Sequence, residues 1–313
     1  MIQTVTQKIS KSEISGTALI HEHIQCVSND MLHEFGKRWL DRAEVISRSL
    51  EILTDMKKNY GLDLMVDGTP IDLGRDGGIL KELSERSGVK IVASSGLYNF
   101  PSMITMENSE KDIAEWFTEE HISGIDNTSA KAGILKCATD SNLITEENKK
   151  RIAALGRVQA KTGLPLYLHT LHRGSTAKDA LRILEERGAD AGKIIIGHFD
   201  DACEYDYVCE FIKRGCFVSF DRRHYTAEYT ENLAKMLIRL HEGGFADKLL
   251  ISNDCCIYSD FCPTGNKWTR REDIPDTIAY VFEALKKEFL KFGGSEIAYE
   301  KMVTSNVLSV LDS

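Results

Sequence analysis

The sequence predicts an α/β fold: a (β/α)8 TIM barrel with its chemistry at one rim. Three observations carry this. Eight short β-type runs alternate with amphipathic helical segments along 313 residues. Most of the runs are near-continuously apolar, as strands of a parallel sheet covered by helices must be. Several end in a histidine or an aspartate. A doubly wound open sheet is the rival, but nothing resembling G-x-G-x-x-G follows the first run. With no Pro/Ser-rich linker and no low-complexity tract, residues 1–313 read as a single barrel domain.

The strands are expected at 17–23 ("TALIHEH"), 62–68, 89–96, 133–139, 165–170, 193–198, 216–221 and 248–254 ("KLLISND"). Helices are expected between them. The segment 43–61 has apolar residues at helical spacing and closes at Gly61, a C-cap signal. The segment 145–163 opens on Thr145 followed by acids and closes at Gly163. Segments 176–188, 229–244 and 273–294 follow the same plan.

The chain is 42% hydrophobic, enough for a large core, and carries a net charge of −9. That balance argues against a general nucleic-acid binder, which needs a basic face. Eight cysteines lack zinc-finger spacing. The first residues have no apolar signal core, and no run reaches the ~18 apolar residues of a membrane span. The expectation is a cytoplasmic protein with reduced thiols, without nucleic-acid or membrane partners.

The strand ends then matter. On a strand, residues i and i+2 share a face, so His21 and His23 point the same way and Glu22 the other. The fifth run ends at His169, the sixth at His198 and the eighth at Asp254, while Lys136 interrupts the apolar fourth run. In a β/α barrel all strand C-termini surround one mouth, so five segments aim six polar groups at one place. Taken singly, each has an alternative. His169 or His198 could be a satisfied buried histidine, Asp254 a helix cap, and Lys136 half of a buried ion pair.

These segments resemble the phosphotriesterase-like branch of the amidohydrolase superfamily. The resemblance rests on "LIHEHI", "VDGTPIDLGRD", "SSGLY", "KAGILKCATD", "LHT", "IIIGHFDD" and "LISNDC", in order from residue 19 to residue 255. "SFDRRHY" (219–225) and "ISNDCC" (251–256) look more like the lactonases of that branch, whose strand-7 Asp-Arg pair matches Asp221-Arg222. The family implies a binuclear site. By resemblance, His21, His23 and Asp254 hold one divalent ion and His169 and His198 the other, with Lys136, carboxylated by CO2, bridging them. Zinc is the first candidate, with manganese, cobalt or iron as alternatives. A metal-bridging hydroxide would attack a carbonyl carbon, and Asp254 would move the proton. Tyr98, Arg222 and Arg223 would contact the substrate, a small molecule. Basic residues after strands 7 and 8 (Arg222, Arg223, Lys267, Arg270, Arg271) suggest an anionic one, such as a phosphorylated sugar lactone. Amides, carboxylic esters and organophosphates are the alternatives, and a metal-stabilised binding protein is a further one. Homodimers are common in the family. Unlike the family, the C-terminal "SNVLSVL" lacks a proline, and 256–275 does not align.

Overall fold

Nine strands form one parallel sheet in the computed structural model, which describes residues 1–139, 143–171, 176–200, 203–222, 226–261 and 267–312. They are β1 (Thr17–Cys26), β2 (Leu62–Asp67), β3 (Lys90–Gly96), β4 (Ala132–Thr139) and β5 (Leu166–Thr170). Then follow β6 (Ile194–Phe199), β7 (Phe217–Phe220), β8 (Leu249–Ile251) and β9 (Cys256–Ser259). The order across the sheet is β8-β7-β6-β5-β4-β3-β2-β1-β9, so sequence neighbours pair throughout the first eight.

The sheet curls until its ends meet. Asp254 N donates to His21 O at 3.0 Å and His23 N to Cys255 O at 2.8 Å. His21 N donates to Ser252 Oγ at 3.0 Å, and β9 pairs with the far half of β1. This is an α/β fold consistent with a TIM-like barrel. Its eighth stave is broken in two around Asp254. The sequence predicts one strand over 248–254, but β8 stops at Ile251.

Glu22 supplies the reason. Its buried carboxylate accepts from Ser252 Oγ (2.8 Å), Asn253 N (2.8 Å), Asn253 Nδ2 (2.9 Å) and Cys255 N (3.0 Å). Backbone that would have continued the β8 ladder bonds this side chain instead. Asp254, between the captured amides, takes a left-handed φ of 49°. Burial pushes the Glu22 carboxyl up to about 7, against donors that all favour the anion.

Among the described residues, the longer helices on the outside are α1 (Arg42–Tyr60), α2 (Gly77–Ser87), α3 (Glu110–Ile122), α4 (Glu146–Thr162), α5 (Thr176–Glu186), α6 (Tyr205–Lys213) and α7 (Ala227–Leu240). Asp41 and Thr145 cap α1 and α4, which end at Gly61 and Gly163 in left-handed backbone. The helix expected over 273–294 is broken instead. A short 3-10 stretch, Arg271–Asp276, contains Pro275, and regular α-helix returns only over Lys286–Lys291. No helix among the described residues is long and apolar enough to cross a membrane.

Inward-facing Ile20, Val66, Val92, Ile134, Ile195 and Leu250 fill the barrel floor with Tyr167 and Phe217. Ile2 and Ile9, from an N-terminal hairpin, and Leu308 and Leu311, from the final helix, join the same cluster. The missing C-terminal proline leaves that last segment anchored by Asn306, whose Nδ2 donates to Ala246 O and Leu249 O at 2.8 Å each.

Two predictions follow from these contacts. In Glu22→Gln the amide N–H must face the N–H of Cys255 or its neighbours. Stability at pH 8, read by denaturant titration, should fall by about 1–3 kcal/mol. Asp63 concerns pH. It accepts from Ser15 N at 2.8 Å and Lys90 Nζ at 2.8 Å, with Lys57 Nζ at 3.4 Å. Burial opposes its charge, but Lys90 and the other donors outweigh burial and hold the carboxyl below 3.8. Its contribution is therefore present above the ordinary carboxylate range and lost as pH falls through the depressed value. Asp63→Asn should cost ~1 kcal/mol at pH 7, and the gap to wild type should close in acid.

Candidate metal centre

Four imidazoles, one lysine and one carboxylate converge at the C-terminal ends of the strands. His21 and His23 leave β1 on its inner face, and Glu22 between them faces away, as strand alternation requires. The β1–β2 register shifts between Leu19 and Glu22, which lets Ile20 join the floor while His21 still turns inward. Lys136 rises from β4, His169 from β5 and His198 from β6. Its Nζ lies 2.6 Å from His21 Nε2. His198 Nε2 lies 2.6 Å from His169 Nδ1. Asp254 Oδ1 stands 3.2 Å from His23 Nε2 and 3.6 Å from His21 Nε2, and its Oδ2 3.8 Å from His198 Nδ1. The structure thus brings together all six residues that the sequence assigns to the metals.

The opposite nitrogens of His21, His23 and His169 are hydrogen-bonded to the protein, while His198 Nδ1 lies beside a carboxylate without a hydrogen bond among the described residues. Asp221, buried at the end of β7, places Oδ2 3.1 Å from His21 Nδ1 and Oδ1 3.0 Å from His198 Nδ1. His23 Nδ1 meets Thr69 Oγ1 at 2.8 Å, and that hydroxyl donates onward to Gln25 O. The threonine therefore accepts, which fixes the proton on Nδ1 and turns the Nε2 lone pair inward. His169 Nε2 meets the Tyr98 hydroxyl at 3.1 Å. Oriented imidazoles with a fixed outer nitrogen are what metal-ligating histidines need.

The donor set fits a cation. His21, His23 and Asp254 bring their ligand atoms within 4.8 Å of one another, as do His21, His198 and Asp221. In the second group Asp221 faces Nδ1 atoms, so it orients the rings. The inner nitrogens of His169 and His198 face each other at 2.6 Å, where a shared cation would relieve their repulsion. Electrostatics agree. Burial and Lys136 pull His21 down to about 3. Burial acts against a charge on His23 too, yet Cys256 and Asp254 push it up to about 9. Burial brings Lys136 down to about 8, opposed by Asp254 and Asp221. Asp254 stays well below the usual carboxylate range; burial works against its charge and His21 and His198 outweigh it.

Two glycines keep the space open. A Cβ on Gly68 would lie 2.6 Å from His21 Cδ2, and one on Gly197 2.2 Å from Tyr167 Oη. Tyr167 floors the site: Lys136 Nζ lies 4.3 Å from its ring centre, and its hydroxyl donates to Asp221. His198, next to Gly197, has φ 67° and Asp254 φ 49°. Non-glycine residues in this region carry strain, and both here are ligand candidates.

The substrate contacts are less complete. Tyr98 reaches the site through His169. Arg222 directly follows Asp221, and its Nε is buried with no partner among the described residues. Arg223, His172, His224 and Asp201 lie outside the described residues. The other basic loop residues are engaged elsewhere: Lys267 lies over Trp39 (3.9 Å), Arg270 pairs with Asp273 (2.9 Å), and Arg271 with Asp55 (2.5 Å). Sequence reasoning gave Asp221 no role at the metals, although "CFVSFD" ends an apolar run in an aspartate as "KLLISND" does. Thr69 and Tyr167 gave no comparable signal.

Known proteins resemble this chain in sequence. The model of the phosphotriesterase family matches residues 1–289. An aryldialkylphosphatase of Saccharolobus solfataricus is 30% identical over 256 residues, 80% of each chain. A phosphotriesterase homology protein of Mycobacterium tuberculosis is 29% identical over 261 residues, 79% of each chain. An N-acetyltaurine hydrolase of Dictyostelium discoideum is 30% identical over 219 residues, 69% of this chain and 56% of that one. The family match spans every strand that contributes to the centre, and on it the chain belongs to the phosphotriesterase family.

Proposed function

We propose that the protein is a hydrolase dependent on two divalent metal ions, zinc first among them, and that its substrates are lactones. The observation that carries the reading is the set of four converging imidazoles, three with the outer nitrogen hydrogen-bonded and the fourth, His198, with Nδ1 3.0 Å from Asp221. His21, His23 and Asp254 would hold one ion, and His169 and His198 the other. Lys136 would lie between them as a carbamate. Its neutral amine adds to CO2 and releases a proton, giving a carboxylate-like group with two oxygens. A lowered lysine pKa makes that amine more available. When bound, the ions lower the pKa of water toward ~7 and polarise the substrate carbonyl.

The residues then divide the work. Asp254 takes the proton from the attacking water and delivers it to the departing alkoxide. The Tyr98 hydroxyl shares a hydrogen bond with His169 Nε2 at 3.1 Å, which sets it beside the metal-ligand candidates as a contact for the substrate carbonyl. Arg222, whose Nε has no hydrogen-bond partner among the described residues, is the anchor for a negative group on the substrate. Hydrolysis of an amide is the second reading. The N-acetyltaurine hydrolases among the relatives support it.

Elemental analysis should find two metal ions per chain. Lys136→Ala should lower that number and cut turnover at least ~100-fold, with short carboxylates plus metal restoring part of it. A single ion indifferent to Lys136→Ala would remove the bridged centre from consideration. Asp254→Asn should lower kcat by ~100-fold or more.

Substrate choice is read from one panel: neutral lactones, phosphorylated sugar lactones, N-acetyltaurine and an aryl dialkyl phosphate. Lactones should give the highest kcat/KM, with Arg222→Leu selectively weakening the phosphorylated ones. N-acetyltaurine ahead of every lactone would move the assignment to amides. Metal-loaded protein inert to the whole panel would favour a binding protein.

A further inference from the structure

Arg151 is among the largest fully buried side chains of the molecule, at 1% exposure, and nothing in the metal centre touches it. It stands on the second turn of α4 and reaches under the loop after β3. Its Nη1 donates to Tyr98 O at 2.7 Å and its Nη2 to Phe100 O at 2.8 Å. Longer contacts tie the same guanidinium to Glu147 Oε1 (3.2 Å), Asn148 Oδ1 and Thr105 Oγ1 (3.4 Å each). Nε has no hydrogen-bond partner among the described residues, so the side chain is aimed at the loop carbonyls through its two terminal nitrogens.

Its neighbours on α4 hold the rest of the loop. Glu147 accepts from Ser102 N at 3.0 Å, and Lys150 Nζ donates to Thr105 O (2.7 Å) and Asn108 O (3.1 Å). From the other side, Asp72 accepts from Tyr98 N at 2.8 and 3.0 Å. Tyr98 therefore has its amide held by an aspartate and its carbonyl by an arginine, with its hydroxyl on His169. Asn148 Nδ2 also donates to Ala138 O at 3.1 Å, which couples this clamp to the end of β4.

We propose that Arg151 is the positioning residue for Tyr98: it fixes the backbone that sets the Tyr98 hydroxyl over His169. The inference rests on the reading of Tyr98 as the group that contacts the substrate. A buried guanidinium spending its donors on carbonyls of an irregular loop is a rigid support for that hydroxyl, and pre-organised donors act in the transition state more than in ground-state binding. The effect should therefore fall on kcat.

The test uses the full-length, metal-loaded protein with Arg151→Met, Arg151→Lys, Tyr98→Phe and the double variant Arg151→Met/Tyr98→Phe. Amide hydrogen exchange is followed over residues 97–106 and over the barrel strands. Arg151→Met should speed exchange in the loop at least ~10-fold, with strands and metal content unchanged. Its kcat should fall ~10–100-fold with KM within ~3-fold, matching Tyr98→Phe. The double variant should be no worse than the poorer single one, and Arg151→Lys should recover part of the loss. If Arg151→Met fails to fold, Arg151→Lys carries the same comparison. Multiplicative losses in the double variant, or full activity in a loosened loop while Tyr98→Phe is impaired, would overturn the inference. So would unchanged loop exchange. Full activity in Tyr98→Phe would instead reject the role of Tyr98, and a wild type without turnover would reject the hydrolase reading. The exchange data still decide whether Arg151 holds the loop.

Discussion

The Glu22 carboxylate is the constraint on which the remaining architecture depends. A buried anion needs several donors, and the four it finds all belong to residues 252–255. Meeting that need breaks the eighth stave, turns Asp254 into left-handed backbone and draws both halves of the stave against β1. His21 and His23 flank Glu22 in sequence and project from the opposite face. One tripeptide thus carries two metal-ligand candidates inward and the closure of the barrel outward.

Charge inside the mouth is balanced by pairing. Asp221 answers two imidazoles at once, and Tyr167 and Ser219 also donate to it. That carboxylate lies against rings of residues from β1 and β6, whose centres are 5.1 Å apart. Thr69 and Tyr98 do the same for His23 and His169 with neutral hydroxyls. The outer partners therefore differ in charge, two rings facing an anion and two facing hydroxyls, so the basicity of the inner nitrogens differs as well.

Much of this was legible in the sequence because it follows from local periodicity. Apolar runs gave the eight strand positions, and Gly61 and Gly163 gave two helix ends. The six metal-ligand candidates were legible because strand ends in such a barrel share one mouth. What could not be read depends on contacts far apart in sequence. The end of β8 at Ile251 is set by Glu22, some 230 residues earlier. The engagement of Arg271 depends on Asp55, 216 residues earlier. The role of Arg151 depends on carbonyls more than 50 residues earlier in the chain. Helices α2, α3 and α6 were not assigned, and Pro275 breaks the helix expected over 273–294.

The left-handed backbone at His198 and Asp254 has a consequence for how this protein can change. Glycine at either position would relax the main chain while discarding a metal-ligand candidate. Fold robustness and chemistry therefore pull in opposite directions at these two sites. A library enriched for heat resistance alone would drift toward inert barrels, and would lose these two side chains before the apolar floor beneath them.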